Sequence, residues 1–189
     1  MSDQPTYLKL LRGIANAESD AHCYLSAWCE TTTNPDVRSV LTTVASREGE
    51  HGMAFAKRVV ELGFDFERKE AESLAEKMAV ARSNRSDKEK AEYFGLTNAE
   101  TTLSFFDNVF KDHSIDIRTG ELLGRYIAEE HDTARLAKCC YDALCAVPAQ
   151  DSNAATAFAG LEAKVDALCR SVEELRQIVC AQTMPAAAE

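Results

Sequence analysis

Four glutamates and a histidine stand where the apolar faces of helices should continue. Glu18 falls between Ile14, Ala15 and Ala21; Glu48 between Val44 and Phe55; Glu100 between Leu96 and Leu103; and Glu130 between Ile127 and Ala134. His51 follows Glu48 by three residues, and side chains three apart share a helix face. An isolated buried carboxylate is costly, and several together repel one another, so a core that collects them needs protons or cations. Carboxylates that bridge or terminate, joined by an imidazole, are donors suited to iron or manganese. A Glu from each of two helices, with Glu-x-x-His from others, is the donor pattern of a dinuclear centre inside a bundle.

The elements that must position these residues follow from their spacing. Glu18 and Glu48 are 30 residues apart around Asn34 and Pro35, an N-cap followed by proline at the first helical position. Glu100 and Glu130 are also 30 apart, around an N-cap at Asp116. About 14 residues on either side of each turn rise roughly 21 Å, so each pair meets at one level of an antiparallel hairpin. The two hairpins are also related by sequence. An offset of 82 maps Asn16-Ala-Glu18 onto Asn98-Ala-Glu100, Asn34 onto Asp116, Val40 and Leu41 onto Leu122 and Leu123, and Glu48 onto Glu130. A register held across two helices and a turn marks an internal repeat.

Apolar residues at spacings of three and four predict helices over about residues 6–33, 35–62, 87–111 and 116–147. Gly63 closes the second of these, and Ser86 with Glu89 fits a capping box opening the third. A polar helix over 71–82 lies in the charged connection, residues 64–90. Phe158, Val165, Val172 and Val179 fall seven apart, as do Leu161, Leu168 and Leu175 three residues later. These heptads favour a two-stranded parallel coiled coil and hence a homodimer; the alternative is a fifth helix folded onto its own bundle. The expected domains are a bundle over 1–147 and a linker with a C-terminal helix over 148–189.

Composition agrees with an all-α chain: among 189 residues there are only 8 Gly and 4 Pro, too few for the turns of a sandwich or barrel. The net charge of −10 carries no basic stripe, which argues against nucleic acid and anionic membranes as partners. No apolar run approaches the 18 or so residues of a membrane span, and the N-terminus lacks a signal-peptide core. The seven cysteines contain no C-x-x-C pair and read as reduced thiols of a cytoplasmic protein, not as a zinc or rubredoxin knuckle.

With Glu18, Glu48-x-x-His51, Glu100 and Glu130 in place, the chain resembles the ferritin-like di-iron superfamily over about residues 6–147, and most closely its rubrerythrin-like branch. The resemblance implies two hairpins joined by a long crossover, and a carboxylate-bridged pair of iron ions, with manganese possible, that reduces peroxide or dioxygen. It implies those five residues as metal ligands and catalytic groups. Ferroxidase or iron handling of ferritin-like type is the alternative, and a degenerate bundle serving as an interaction module is a third reading. Two departures stand out. Thr133 occupies the position of the family's second Glu-x-x-His histidine, although ferritins also manage with one histidine. The rubredoxin module of rubrerythrins has no counterpart, so an external electron donor is implied. His22, one turn after Glu18, is expected to support the ligands or hydrogen-bond, and otherwise to be a ligand itself; His113 and His131 are expected at the surface or an interface, and Tyr24, Tyr126 and Thr133 in packing roles near the pocket.

Overall fold

A computed structural model describes residues 4–98 and 111–146. Within them every regular element is an α-helix: α1 (Leu8–Thr31), α2 (Pro35–Glu61), α3 (Leu74–Ala81), α4 (Asp87–Tyr93) and α5 (Ile117–Cys145). Among the described residues no helix is long and apolar enough to cross a membrane. The heptads of residues 158–179 and the expected domain over 148–189 lie outside the described residues. None of the five described cysteines is in a disulfide.

The local signals act as the spacing requires. Asn34 Oδ1 accepts the backbone N–H groups of Asp36 and Val37 at 3.0 and 3.4 Å, and Asp116 accepts those of Arg118 and Thr119 at 3.0 and 3.1 Å. Both satisfy donors that the first helical turn leaves open. Ser86 and Glu89 form the full capping box of α4. At Gly63 (φ 86°), Phe64 N–H bonds to Val59 O at 3.2 Å and Gly63 N–H to Val60 O at 2.9 Å, the paired bonds of a Schellman ending.

The helix expected over 87–111 departs from this agreement. Gly95 adopts φ 72°, and Leu96 N–H reaches back to Ala91 O at 2.9 Å, so α4 ends after two turns with the same motif as α2. A lone glycine in a helical pattern reads as a tolerated weak point; here it is a stop. The polar helix expected over 71–82 is trimmed to Leu74–Ala81.

Among the described residues, three long helices carry the core. α1 and α2 are antiparallel, with Ser19 against Gly52 and His22 against Ala45 and Gly49. α5 runs antiparallel to α2 and parallel to α1: Thr119 meets Arg58, Glu129 and Glu130 meet His51, Thr133 meets Arg47, and Tyr126 meets Glu18. The connection runs along α1. Asp65 O accepts from Arg12, Lys69 N–H donates to Asn16, Ala71 N–H donates to Asp20, and Asp87 accepts from Trp28. Buried Arg58 pins the end of α2 to the start of α5, donating to Thr119 Oγ1 at 2.9 Å and to Asp116 Oδ1 at 2.7 Å. Burial works to raise the Asp116 pKa, but Thr119 and Arg58 outweigh it and hold the carboxyl far below its ordinary range.

The apolar core is divided in two. One cluster joins Leu8, Leu11, Phe55, Val59 and Leu123; the other joins Leu25, Trp28, Val37, Leu41 and Val44. Glu18 lies between the two clusters along α1, and Glu48 and His51 lie between them along α2. A layer of ionisable side chains therefore interrupts a core that the remaining stripe residues would otherwise make continuous.

Close approach of α1 and α2 sets the level of that layer. A Cβ added at Gly52 would stand 2.6 Å from Ser19 Oγ and 3.1 Å from Ser19 N. The backbone contact cannot swing away, so Gly52→Ala must part the helices one residue from His51. We expect a loss of about 1–3 kcal/mol of stability, measured by chemical denaturation. Unchanged stability would show that the helix spacing does not depend on this glycine.

Candidate metal centre

Glu18 from α1, Glu48 and His51 from α2, and Glu130 from α5 converge, each offering one ligand atom, with all of these atoms within 4.8 Å of one another. Each arrives by the rule that placed it in the sequence. Glu18 and Glu48 meet across the first hairpin, His51 shares the face of Glu48, and α5 brings in Glu130 beside the imidazole. Glu18, Glu48 and His51 are buried, and Glu130 is partly so. Glu100 lies outside the described residues.

Two atoms of this group are orphaned. His51 Nδ1 and Glu130 Oε1 are buried without a hydrogen-bond partner, although they stand only 3.4 Å apart. Glu48 Oε2 lies 3.9 Å from the same nitrogen. Buried polar atoms are nearly always satisfied, so an unpaired nitrogen and an unpaired carboxylate oxygen beside two further carboxylates fit a cation that completes them.

The electrostatics describe what holds this layer together without metal. Burial, followed by the bond to Glu48 and its like charge, pushes the Glu18 pKa up to about 10. Burial also works to raise Glu48, but His51 and Glu18 outweigh it and hold Glu48 below its ordinary value. The Glu18–Glu48 pair thus carries one proton, on Glu18. Burial alone would lower the His51 pKa, yet the surrounding carboxylates of Glu130, Glu48 and Glu129 push it up to about 10. Protons at Glu18 and His51 occupy the role that a divalent ion would take.

Supporting contacts orient the donors. Tyr126 donates to Glu18 Oε1 at 2.7 Å and packs edge-on to the His51 ring, so it does more than fill space. Burial and the nearby carboxylates raise its phenol pKa, which keeps it a donor. Glu129 was not among the residues singled out by spacing, yet its Oε2 lies 2.7 Å from His51 Nε2. Arg125 holds the other Glu129 oxygen at 2.8 Å. Neighbours on a helix diverge by about 100°, so only one of Glu129 and Glu130 suits the stripe. The imidazole spans both because it presents one nitrogen to each. The adjacent glutamates, together with Arg125 four residues before Glu129, were the available signal.

Glu129 therefore fixes which histidine nitrogen faces the carboxylates, a support that metal-ligating histidines usually require. Glu129→Ala is expected to weaken metal binding by about 10- to 100-fold, and Glu129→Gln, whose amide oxygen still accepts from Nε2–H, to recover most of the loss. Equal affinities in equilibrium dialysis for all three proteins would remove Glu129 from the site.

Thr133 is buried and accepts a bond from Arg47 Nη1 at 2.9 Å. Tyr24 stacks on Phe94 with ring centroids 4.7 Å apart, and lines a cavity of about 490 Å³ onto which Glu18, Glu48, Glu130 and Thr133 open. His22 is hydrogen-bonded but does not join the converging group. Its Nδ1 lies 2.6 Å from Ala45 O, and the residue is exposed on the outer side of the α1–α2 contact, away from Glu18. His113 and His131 are exposed. In comparisons with known proteins, no family model, curated protein or solved structure matches this chain.

Proposed function

We propose that this chain is an oxidoreductase of the ferritin-like, rubrerythrin-like type, reducing peroxide or dioxygen at a carboxylate-bridged pair of iron ions, with manganese a possible occupant. The observation that carries this reading is the orphaned pair, His51 Nδ1 and Glu130 Oε1, set against Glu18 and Glu48 in a layer that divides the core. When bound, the metal pair supplies two-electron redox chemistry. Glu48, His51, Glu130 and Glu18 hold it, with Glu100 assigned to the same centre by the repeat. Tyr126 holds Glu18 through one oxygen, and Glu129 holds the imidazole through Nε2. The apolar clusters flank the layer on either side, and the cavity beside it gives small molecules access.

Anaerobic loading with ferrous iron followed by hydrogen peroxide tests the proposal. Rapid oxidation of two ferrous ions for each peroxide consumed supports it; iron that stays ferrous on mixing overturns it.

The donor set, with Thr133 where a second histidine is expected, also favours a second reading: ferroxidase or iron handling of ferritin-like type. A many-subunit shell in solution would favour that role, whereas a dimer favours the first. A chain that binds no metal at all would serve only as an interaction module. In the proposed dimer the heptads join two chains and an external donor supplies electrons. Val172→Asp puts a charge at an a position of the heptads and is expected to give monomers in analytical ultracentrifugation. A dimer that survives the change is held by another surface.

A further inference from the structure

The offset of 82 relates side-chain pairs as well as helices. It carries His51 onto Thr133 and Arg47 onto Glu129. In the structure these four form two bonds that are images of each other. Glu129 Oε2 of α5 supports His51 of α2 at 2.7 Å. Arg47 Nη1 of α2 supports Thr133 of α5 at 2.9 Å. One half has a nitrogen ligand backed by a carboxylate; the other has a hydroxyl backed by a guanidinium. Ligand and support have changed together, and the support has changed sign.

Arg47 is firmly held in this role. The same Nη1 reaches Glu129 O at 3.1 Å, and Nη2 reaches Asp132 Oδ2 at 3.1 Å. A guanidinium has donors only, so it cannot accept the ring N–H of a histidine at position 133. It serves a threonine oxygen and would serve an imidazole badly. Its charge also acts on the layer, helping to hold Glu48 below its ordinary pKa.

We infer that Arg47 is a specificity-determining residue that makes the two metal positions unequal: an ion held firmly on the His51 side, and one held weakly and exchangeably on the Thr133 side. This rests on the proposed dinuclear centre. The weak position lacks a nitrogen donor, and it faces a fixed positive charge where its counterpart faces the carboxylate of Glu129. Two consequences follow from the pairing. Removing the charge of Arg47 tightens the second ion without altering any ligand. Introducing a histidine at 133 has its full effect only if position 47 becomes an acceptor, so the two changes are coupled.

The experiment is titration with manganous ion, the unbound ion being counted by electron paramagnetic resonance. The wild-type protein is expected to take one ion tightly and a second at least tenfold more weakly. Arg47→Glu combined with Thr133→His is expected to tighten the second ion by about 10- to 100-fold, by more than the product of the separate changes. Arg47→Gln, which keeps a donor for Thr133 and drops the charge, is expected to tighten it at low ionic strength, and circular dichroism reports whether each variant is folded. Two equal ions in the wild type, or a second ion no tighter in folded Arg47→Gln, overturns the assignment of Arg47 and leaves the dinuclear centre standing. A wild-type protein that binds no ion overturns the centre itself, and the assignment with it.

Discussion

Exchanging Glu48 for Gln and His51 for Ala in one variant is expected to abolish metal binding, with an affinity loss well beyond about a hundredfold. Loss of a single supporting contact typically costs about 10- to 100-fold, and this variant removes two of the proposed ligands outright. Both come from one turn of α2, and one of them is the sole nitrogen among the four converging donors. Glu48→Gln preserves shape while removing a charge from a crowded layer, whereas His51→Ala gives up the 2.7 Å contact of Nε2 with Glu129. Circular dichroism on the variant reports whether the helices survive, which keeps the result interpretable. The variant is loaded with ferrous or manganous ion, dialysed and analysed for metal. Metal content equal to wild type would place the binding site elsewhere on the chain.

The second large effect is on pH dependence. Glu18 and His51 both have pKa values raised to about 10 in the folded protein, from ordinary values of 4.5 and 6.5. A group whose pKa rises on folding contributes stability that is complete below its unfolded pKa. That contribution is lost as pH climbs through the folded value. In metal-free protein, Glu18 therefore costs stability from about pH 4.5 upward, and His51 joins it above about 6.5. Each group contributes a slope of about 1.4 kcal/mol per pH unit while it alone differs between the two states. Glu48, with a lowered pKa, acts in the opposite direction and only in acid.

Metal bound at the proposed centre would cancel this dependence, because ligands must give up their protons to bind it. At pH 7 a metal ion has to displace about two, from Glu18 and His51, so apparent affinity should rise by up to roughly a hundredfold per pH unit between pH 7 and 9. Denaturation at several pH values, with and without manganous ion, gives the stability curves. Calorimetry in two buffers of different ionisation enthalpy counts the protons. A metal-free stability that is flat from pH 7 to 9, or metal uptake without proton release, would show that Glu18 and His51 are not protonated in the empty site. Glu18→Gln is expected to remove one of the two slopes and leave the other.

The spacing of residues along single helices accounts for much of this molecule. The apolar stripes, the N-caps at Asn34, Ser86 and Asp116, and the ending at Gly63 depend on groups within a few residues of one another, and all are legible in the chain. The meeting of Glu18 with Glu48 is nearly as local, because a helix of known rise folded back at a known turn has little choice of register. Glu130 joins them through α5, as the repeat anticipates. For Glu100 the repeat remains the basis of its assignment.

Only the tertiary structure decided the rest. Gly95 stops α4 because its backbone turns left-handed, a choice that a glycine in a helical pattern does not announce. His22 shares the right turn of α1, but its Nδ1 meets Ala45 O beside Gly49 of α2. Glu129 supports His51, and Arg47 supports Thr133, across the α2–α5 interface. Periodicity determines which face of a helix a residue occupies. The partner that a long side chain finds across an interface depends on how two helices approach and where each side chain ends, and these distances exist only once the helices are packed.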